Sequence, residues 1–404
     1  MTLAFTQREY PGAKLDEIAT LVINGMYYSD WETVWVQHRW HDPYNYFRFT
    51  CAERDPIPGL WDRVQFKPPD PCAIYLAGRL ALTGIILVRQ VAYEAESHGV
   101  SLQGKGKAWE LTGSITPEEG DGGNFKGDLI SIVQQVLRPT SVRIGEIIGT
   151  ISGIPFNPPE GVHFNQGETR WAFLERLSRD RNVDLSNNKN GDLVLVGPHG
   201  PRVSAVLIEG VNIYSAQVVI NGEDAYSYVF VTGQRPPDDQ TNGPAASELR
   251  SKAVPPGTMP ESRPLLVPIE HPVKTQPEVD LRAAKEARWT GTRIDADIVV
   301  YGWLDPSGEL WRVGTEVEIN SPMIPMGIGL SDQTLLTIET ATFTQDENGG
   351  TRTSLHLIEP WRNNTSGGPA TDAPTVKADT APAKAPSDGK PSDPPPALLP
   401  GFEE

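Results

Sequence analysis

Cysteine is nearly absent: only Cys51 and Cys72 occur among 404 residues, and they have no CxxC spacing. Two thiols cannot staple a chain of this size, so a disulfide framework is excluded and reduced, buried thiols are expected. Long apolar runs are also missing. No stretch approaches the roughly 18 consecutive apolar residues of a membrane helix, and residues 1–10 carry neither a basic n-region nor an apolar h-region. The expectation is a soluble product with no cleavable signal peptide and no stable membrane insertion. Positive charge is the third deficit: 35 Lys and Arg stand against 52 Asp and Glu, a formal charge of -17. Duplex binding relies on Lys and Arg displacing condensed counterions, so nucleic acid is expected only as a passing cargo. An acidic wall would repel a phosphate backbone in transit, although a solvated surface that aids solubility is the plainer reading.

Catalytic signatures are scarce as well. There is no GxSxG elbow, and the seven histidines (His38, His41, His98, His163, His199, His271, His356) form no HxH or HExxH unit. Glu168, near a helix start, is the carboxylate to weigh for glycoside hydrolysis, but the helix dipole favours an acid there whatever the function. Gly104, Lys105, Gly106 and Lys107 suggest a phosphate loop without its GKS or GKT. Glu118, Glu119, Asp121, Gly122, Gly123 and Asn124 lack the spacing of a calcium loop and read as a solvated acidic turn. No catalytic, cofactor-binding or metal residue is assigned, and no cofactor is expected.

What the chain does contain is an internal echo. Asp42, Tyr44, Tyr46 and Thr50 recur as Asp224, Tyr226, Tyr228 and Thr232 at a shift of 182. At a shift of 250, Leu60 and Trp61 fall on Leu310 and Trp311, with Val64 on Val313 after a one-residue slip. At that same shift residues 85–88 fall on 335–338 and Tyr93 falls on Phe343. The two shifts imply an insertion in the second copy. Aromatic and β-branched residues are what any strand favours, so composition alone is the rival explanation.

Period-two alternation dominates residues 18–50, with Asn24-Gly25 as a hairpin signal and a turn about Pro43. Asp128 is placed to cap a helix carrying Leu129, Ile132, Val133, Val136 and Leu137, stopped by Pro139. Gly167 and Glu168 open a second helix with Trp171, Leu174 and Leu177 on one side. Residues 235–277, rich in proline, read as a long loop, followed by a helix over 278–289 with Leu281, Ala284 and Ala287 inward. The fold class expected is β-rich α+β. Two tube-type β-barrels related by duplication occupy 1–105 and 201–234 with 295–361. A small α/β domain occupies 106–200, a Pro-rich loop plus helix is inserted at 235–294, and 362–404 is a disordered tail. In that tail Leu398, Leu399 and Phe402 could form a docking motif.

Several segments in this order resemble one family, the Mu-like contractile-tail baseplate hub proteins of phages and phage-derived particles. They are His98 to Gly106; Phe164 to Leu177 with Gly167-Glu168-Thr169; Leu207 to Ile213 leading into Tyr228 to Gln234; Arg282 to Arg288; Tyr301-Gly302-Trp303 before Leu310-Trp311; and Phe343 through Asp346-Glu347-Asn348-Gly349-Gly350 to Leu357. The resemblance covers roughly residues 15–360. It implies a non-enzymatic homotrimer whose two barrels per chain make a pseudo-sixfold ring, joining the hexameric tail tube to the trimeric central spike around the delivery channel. Implied partners are tail tube or distal tube proteins, the spike, baseplate wedge proteins and a tape measure protein, with DNA only as transit cargo. The implied location is the tail baseplate of a virion assembled in the host cytoplasm. The Pro-rich insertion and the acidic tail are longer than the family pattern. Two alternatives stay open on the residues alone: a tail-associated cell-wall (peptidoglycan) hydrolase, and a carbohydrate-binding β protein using some of its ten tryptophans.

Overall fold

Strands whose alternate residues are apolar bury one face, and this rule organises most of the chain. A computed structural model describes residues 17–29, 31–53, 67–93, 98–235, 248–256, 262–269, 272–324 and 334–365. The first seven strands are β1 (Ala19–Ile23), β2 (Met26–Tyr28), β3 (Thr33–Arg39), β4 (Tyr46–Glu53), β5 (Pro71–Leu76), β6 (Arg79–Tyr93) and β7 (His98–Gly106). In β1 and β3 the alternate residues Ala19, Leu21 and Ile23, and Val34 and Val36, are buried. The hairpin between β1 and β2 turns on Asn24 and Gly25 at φ 50° and 78°, the positive pair that a type I′ turn requires.

Between the two groups of strands lies a second core. It is built by β8 (Asn124–Phe125), α1 (Leu129–Leu137), β9 (Ile144–Ile148), β10 (Val162–His163), α2 (Arg170–Arg179), β11 (Asp184–Asn187) and β12 (Leu193–Val196). Asp128 caps α1 by accepting from the Ser131 amide, and Leu129, Ile132, Val133, Val136 and Leu137 are the buried stripe. The cap of α2 is Thr169, which accepts from the Ala172 amide, so the helix begins at Arg170, two residues after Glu168. Phe173 is fully buried beside Leu174 and Leu177, whereas Trp171 is half-buried at the margin.

The remaining elements are β13 (Val203–Ile208), β14 (Ile213–Asn221), β15 (Tyr228–Gln234), β16 (Glu248–Ala253), β17 (Pro264–Pro268), α3 (Gln276–Trp289), β18 (Arg293–Tyr301), β19 (Glu316–Asn320), β20 (Thr334–Asp346) and β21 (Gly350–Ile358). Thirteen strands form one sheet, whose main path runs β14-β18-β21-β20-β3-β4-β7-β6-β5-β1-β2, with β19 on β20 and β13 on β19. Where two separate barrels were expected, both groups of strands share this sheet and one apolar core. The cause is the length of β20. Its first residues, 334–337, pair with β19, and its later residues, 340–345, pair antiparallel with β3.

Within the sheet the two groups have the same order. Setting aside the short β2, which only extends β1 at the end of the sheet, the first reads β3-β4-β7-β6-β5-β1 and the second β14-β18-β21-β20-β19-β13, so second, third, sixth, fifth, fourth and first strands lie side by side in each. Both carry a register irregularity in the equivalent hairpin, between Ile86 and Val88 in β6 and between Ile338 and Thr340 in β20. They differ at one end: β1 pairs β5 antiparallel, whereas β13 pairs β19 in parallel.

Two expectations for the insertion are corrected. Tyr228–Gln234 does not continue the large sheet; β15 lies in a separate three-stranded sheet between β16 and β17. The 182-residue echo therefore matches β4 with a strand of a different sheet, because tyrosine alternation suits any half-exposed strand. The Pro-rich stretch is also not all loop, since 248–253 and 264–268 are strands. Proline at both ends of β17 hides its apolar period while still permitting an edge strand. Between the end of β14 and the start of β18 a small separate core gathers Val229, Val231, Ala253, Val273, Val279, Ala283 and Ala287. The echo at Leu60, Trp61 and Val64, and the tail from residue 366 with Leu398, Leu399 and Phe402, lie outside the described residues.

Candidate assembly site

The seam between β3 and β20 joins the two groups of strands. Val36 lies opposite Phe343 and His38 opposite Ala341, all on the core face, with the His38 and Phe343 rings edge to face at 5.2 Å. On the opposite face the Gln37 amide donates to Thr342 Oγ1 at 3.0 Å. Period two puts Thr33, Trp35, Tyr46, Arg48, Gln103 and Lys105 on that face, where they line a groove of about 800 Å³ with Thr344 and Asp346. Lys105 Nζ donates to Tyr44 Oη at 3.1 Å and lies 4.6 Å from the Tyr44 ring centroid. This wall of hydroxyls, amides and rings offers hydrogen bonds spread over a surface, with no paired carboxylates poised for catalysis.

His38 makes the seam acid-sensitive. Burial pushes its imidazole down from 6.5 to about 4, against a smaller opposing effect of a hydrogen bond to the Ala81 backbone. The folded protein holds His38 neutral while the unfolded chain takes up a proton below pH 6.5, so stability is full above that value and falls as the pH drops toward 4. The expected loss across this window is about 3 kcal/mol. In urea unfolding from pH 7 to 4, His38→Phe is expected to remove most of that slope; an unchanged slope would place the sensitivity elsewhere.

A second constellation locks α3 between the inserted sheet and the α/β core. Val279, Ala283 and Ala287, four apart, face the small sheet in place of the expected Leu281 and Ala284. The other side of α3 is charged and still buried: Lys285 Nζ and Arg288 Nη2 both donate to the Asp184 carboxylate, the latter at 3.0 Å. Arg288 also donates to Asn182 Oδ1 and to the Trp361 and Arg362 carbonyls. Arg282 reaches Asp180 at 3.1 Å, and Arg181, stacked 3.8 Å from the Phe156 ring centroid, reaches Glu278 at 3.3 Å. Burial alone would raise the Asp184 carboxyl, but Arg288 and Lys285 beside it hold it well below the usual carboxylate range. Sequence reasoning missed this clamp because its partners lie about a hundred residues apart; the visible signal was the density of charge in a helix flanked by apolar strands.

The residues singled out in the sequence are mostly in structural roles. Glu168 accepts Arg176 Nε at 2.9 Å, Arg176 Nη2 at 3.0 Å and the Asn165 amide at 2.7 Å, an arrangement that orders the start of α2. Burial pushes the Cys72 thiol up to about 12, leaving it protonated and unreactive, while Cys51 is half-buried. Lys107 pairs with Asp192 at 2.6 Å, and Gly104 lies in β7 against the Phe47 ring, so these residues make no phosphate loop. Glu119 holds Arg170 at 2.6 Å, and no group of three metal-ligating side chains occurs among the described residues. His41 and His356 approach the two oxygens of Glu339 at 3.4 and 3.5 Å, a meeting that no spacing announced.

No family profile and no curated protein matches this chain. Solved structures do. The 43 kDa tail protein of prophage MuSo2 from Shewanella oneidensis is similar at a TM-score of 0.68 and 20% identity, over 86% of this chain and 99% of that one. The fold is that of a prophage tail protein. A tail protein from Neisseria meningitidis MC58 is similar at a TM-score of 0.67 and 19% identity, over 86% and 98% of the two chains. A type VI secretion system component from E. coli, itself reported to resemble phage T4 tail proteins gp27 and gp5, follows at a TM-score of 0.50 and 12% identity, over 87% and 80%. The tail-protein fold thus extends over most of the chain, at identities that preserve topology more than sequence.

Proposed function

We propose that this chain is the structural baseplate hub of a contractile phage tail or phage-derived particle. Three copies would form a pseudo-sixfold ring adapting a hexameric tube to a trimeric spike. The observation that carries the reading is the repeated strand order. Six strands in one rank order, met twice with an irregularity in the same hairpin, are what duplication of a tube-type unit would leave. The two units are then residues 1–105, and 201–221 with 293–361, separated by the α/β domain at 106–200 and interrupted by an insertion at 222–292. On this assignment the 250-residue echo at 85–88 and 335–338 falls on strands of equal rank, β6 and β20, two residues out of the register that their matched irregularities define.

On this reading the groove face would line the channel, where Thr33, Gln103 and Thr344 offer hydrogen bonds between the rings of Trp35 and Tyr46 and the charges of Arg48, Lys105 and Asp346. DNA is cargo here, and the role is non-enzymatic. Tube, spike, wedge and tape measure proteins are the partners, in a virion baseplate assembled in the host cytoplasm. Multi-angle light scattering on the purified full chain is expected to give three times the 44.2 kDa chain mass; a stable monomer at micromolar concentration would overturn the reading.

A further inference from the structure

We propose that copies of this chain join by one specific strand pairing: β14 of one copy adds antiparallel to the exposed edge of β6 of the next, with Val218 opposite Val91. The proposal rests on the trimeric-hub reading and names its contact. Strand β20 is covered on one side by β21 and on the other by β19 and then β3. Its rank equivalent β6 is covered by β7 on one side, but on the other β5 stops at Ile85 and the Ile86 amide bonds to Asp70. Beyond that point residues 87–93 have an open edge among the described residues. The strand that should fill it by analogy with β3 is β14, which among the described residues pairs only with β18. One chain therefore carries both halves of a contact that its own seam already makes once.

The register follows from pairings within the chain. Two pairs past the irregularity, Arg89 faces Leu102 in the first group and Ala341 faces Leu355 in the second. Leu102 lies opposite Phe49, which lies opposite Val34; Leu355 lies opposite Ile298, which lies opposite Ala216. Val34 thus corresponds to Ala216, and Arg89 to Ala341. Carrying the seam pairs Val36–Phe343 and Trp35–Thr344 across yields Val218–Val91 and Gln217–Ala92. The chemistry agrees. Val218 packs at the margin of the core, Val91 is 43% exposed, and Val88, Val219 and Ile220 are open at the same two edges. An exposed apolar strand edge is an aggregation hazard unless a defined partner covers it. Two different edges that fit each other head to tail make a heterologous contact, which closes into a ring when the rotation allows.

Cysteine cross-linking of the full chain tests the register. Gln217→Cys with Ala92→Cys places both thiols at exposed positions, and mild oxidation is expected to move most of the chain into cross-linked bands on a non-reducing gel. The core-side pair Val218→Cys with Val91→Cys is expected to do the same. Wild type, with Cys51 and Cys72, and the one-residue slip Gln217→Cys with Val91→Cys are expected to stay largely uncross-linked, because a slip puts the thiols on opposite faces. Failure of both matched pairs, or equal cross-linking by the slipped pair, overturns the register. If light scattering still reports a trimer in that case, the hub reading survives with a different contact; a monomer would remove both.

Discussion

Asp184→Ala is expected to destabilise the protein by about 3–5 kcal/mol, because it leaves two buried cations without their anion. Asp184 is 3% exposed, and Arg288 and Lys285 are 4% and 8% exposed, so water cannot replace the carboxylate without opening the packing. Burial pushes both cations toward their neutral forms, and Asp184 is what opposes this. The loss should appear in urea unfolding as a lower midpoint, and α3 with the small sheet should show the first loss of amide-exchange protection. Lys285→Met in the same background is expected to restore part of the loss, since it removes one stranded charge and keeps the volume. Asp184 contributes its stability above the ordinary carboxylate range and loses it as the pH falls toward its depressed folded value. Wild type should therefore hold this clamp well below pH 4, where exposed carboxylates are already protonated. A loss under about 1 kcal/mol in the alanine variant would show that the clamp is worth no more than a surface pair.

Gly314→Ala is expected to cost about 2–5 kcal/mol, summing an L-residue in left-handed backbone and an overpacked core. Gly314 has φ 75°, and a Cβ there would lie 2.3 Å from the ring of Trp40, which is 2% exposed. The ring has nowhere to move. Trp40 Nε1 donates to Asn363 Oδ1, Asn363 Nδ2 donates to the Gly314 carbonyl at 3.2 Å, and the Gly314 amide donates to Ile338 at 2.8 Å. This knot ties the end of β3 to the second group of strands, so its failure should weaken the seam itself. Gly308→Ala is the control: φ is 84° there but nothing lies within 4 Å of the added carbon, so only the backbone strain of about 1–2 kcal/mol is expected. Equal effects in the two variants would deny Trp40 any part.

What could be read from residues was what residues decide among near neighbours. Asp128 before an apolar stripe, Asn24-Gly25 between alternating strands and Pro139 after a helix each act within one turn or one hairpin, and the structure has them in those roles. Errors arose where one local pattern suits two partners. Tyr228–Gln234 alternates as β4 does, yet it pairs with β16 and β17, because alternation specifies a half-buried strand without specifying its sheet. In α3, alanines on two sides gave the helix an ambiguous inward face, and the choice of Val279, Ala283 and Ala287 was made by the sheet beneath them.

By itself, then, the order of amino acids determined a β-rich chain with a mixed α/β middle, few thiols, an acidic balance and the main turns and caps, because period, capping and turn chemistry depend on residues close together along the backbone. Tertiary structure alone decided that β20 reaches β3, that Asp184 meets Arg288 and that Glu339 gathers His41 and His356. Apart from the Glu339–His356 approach within one hairpin, those contacts span about a hundred to three hundred positions, and they form because shared burial on one sheet and one core stabilises them together, a condition no short stretch of sequence carries.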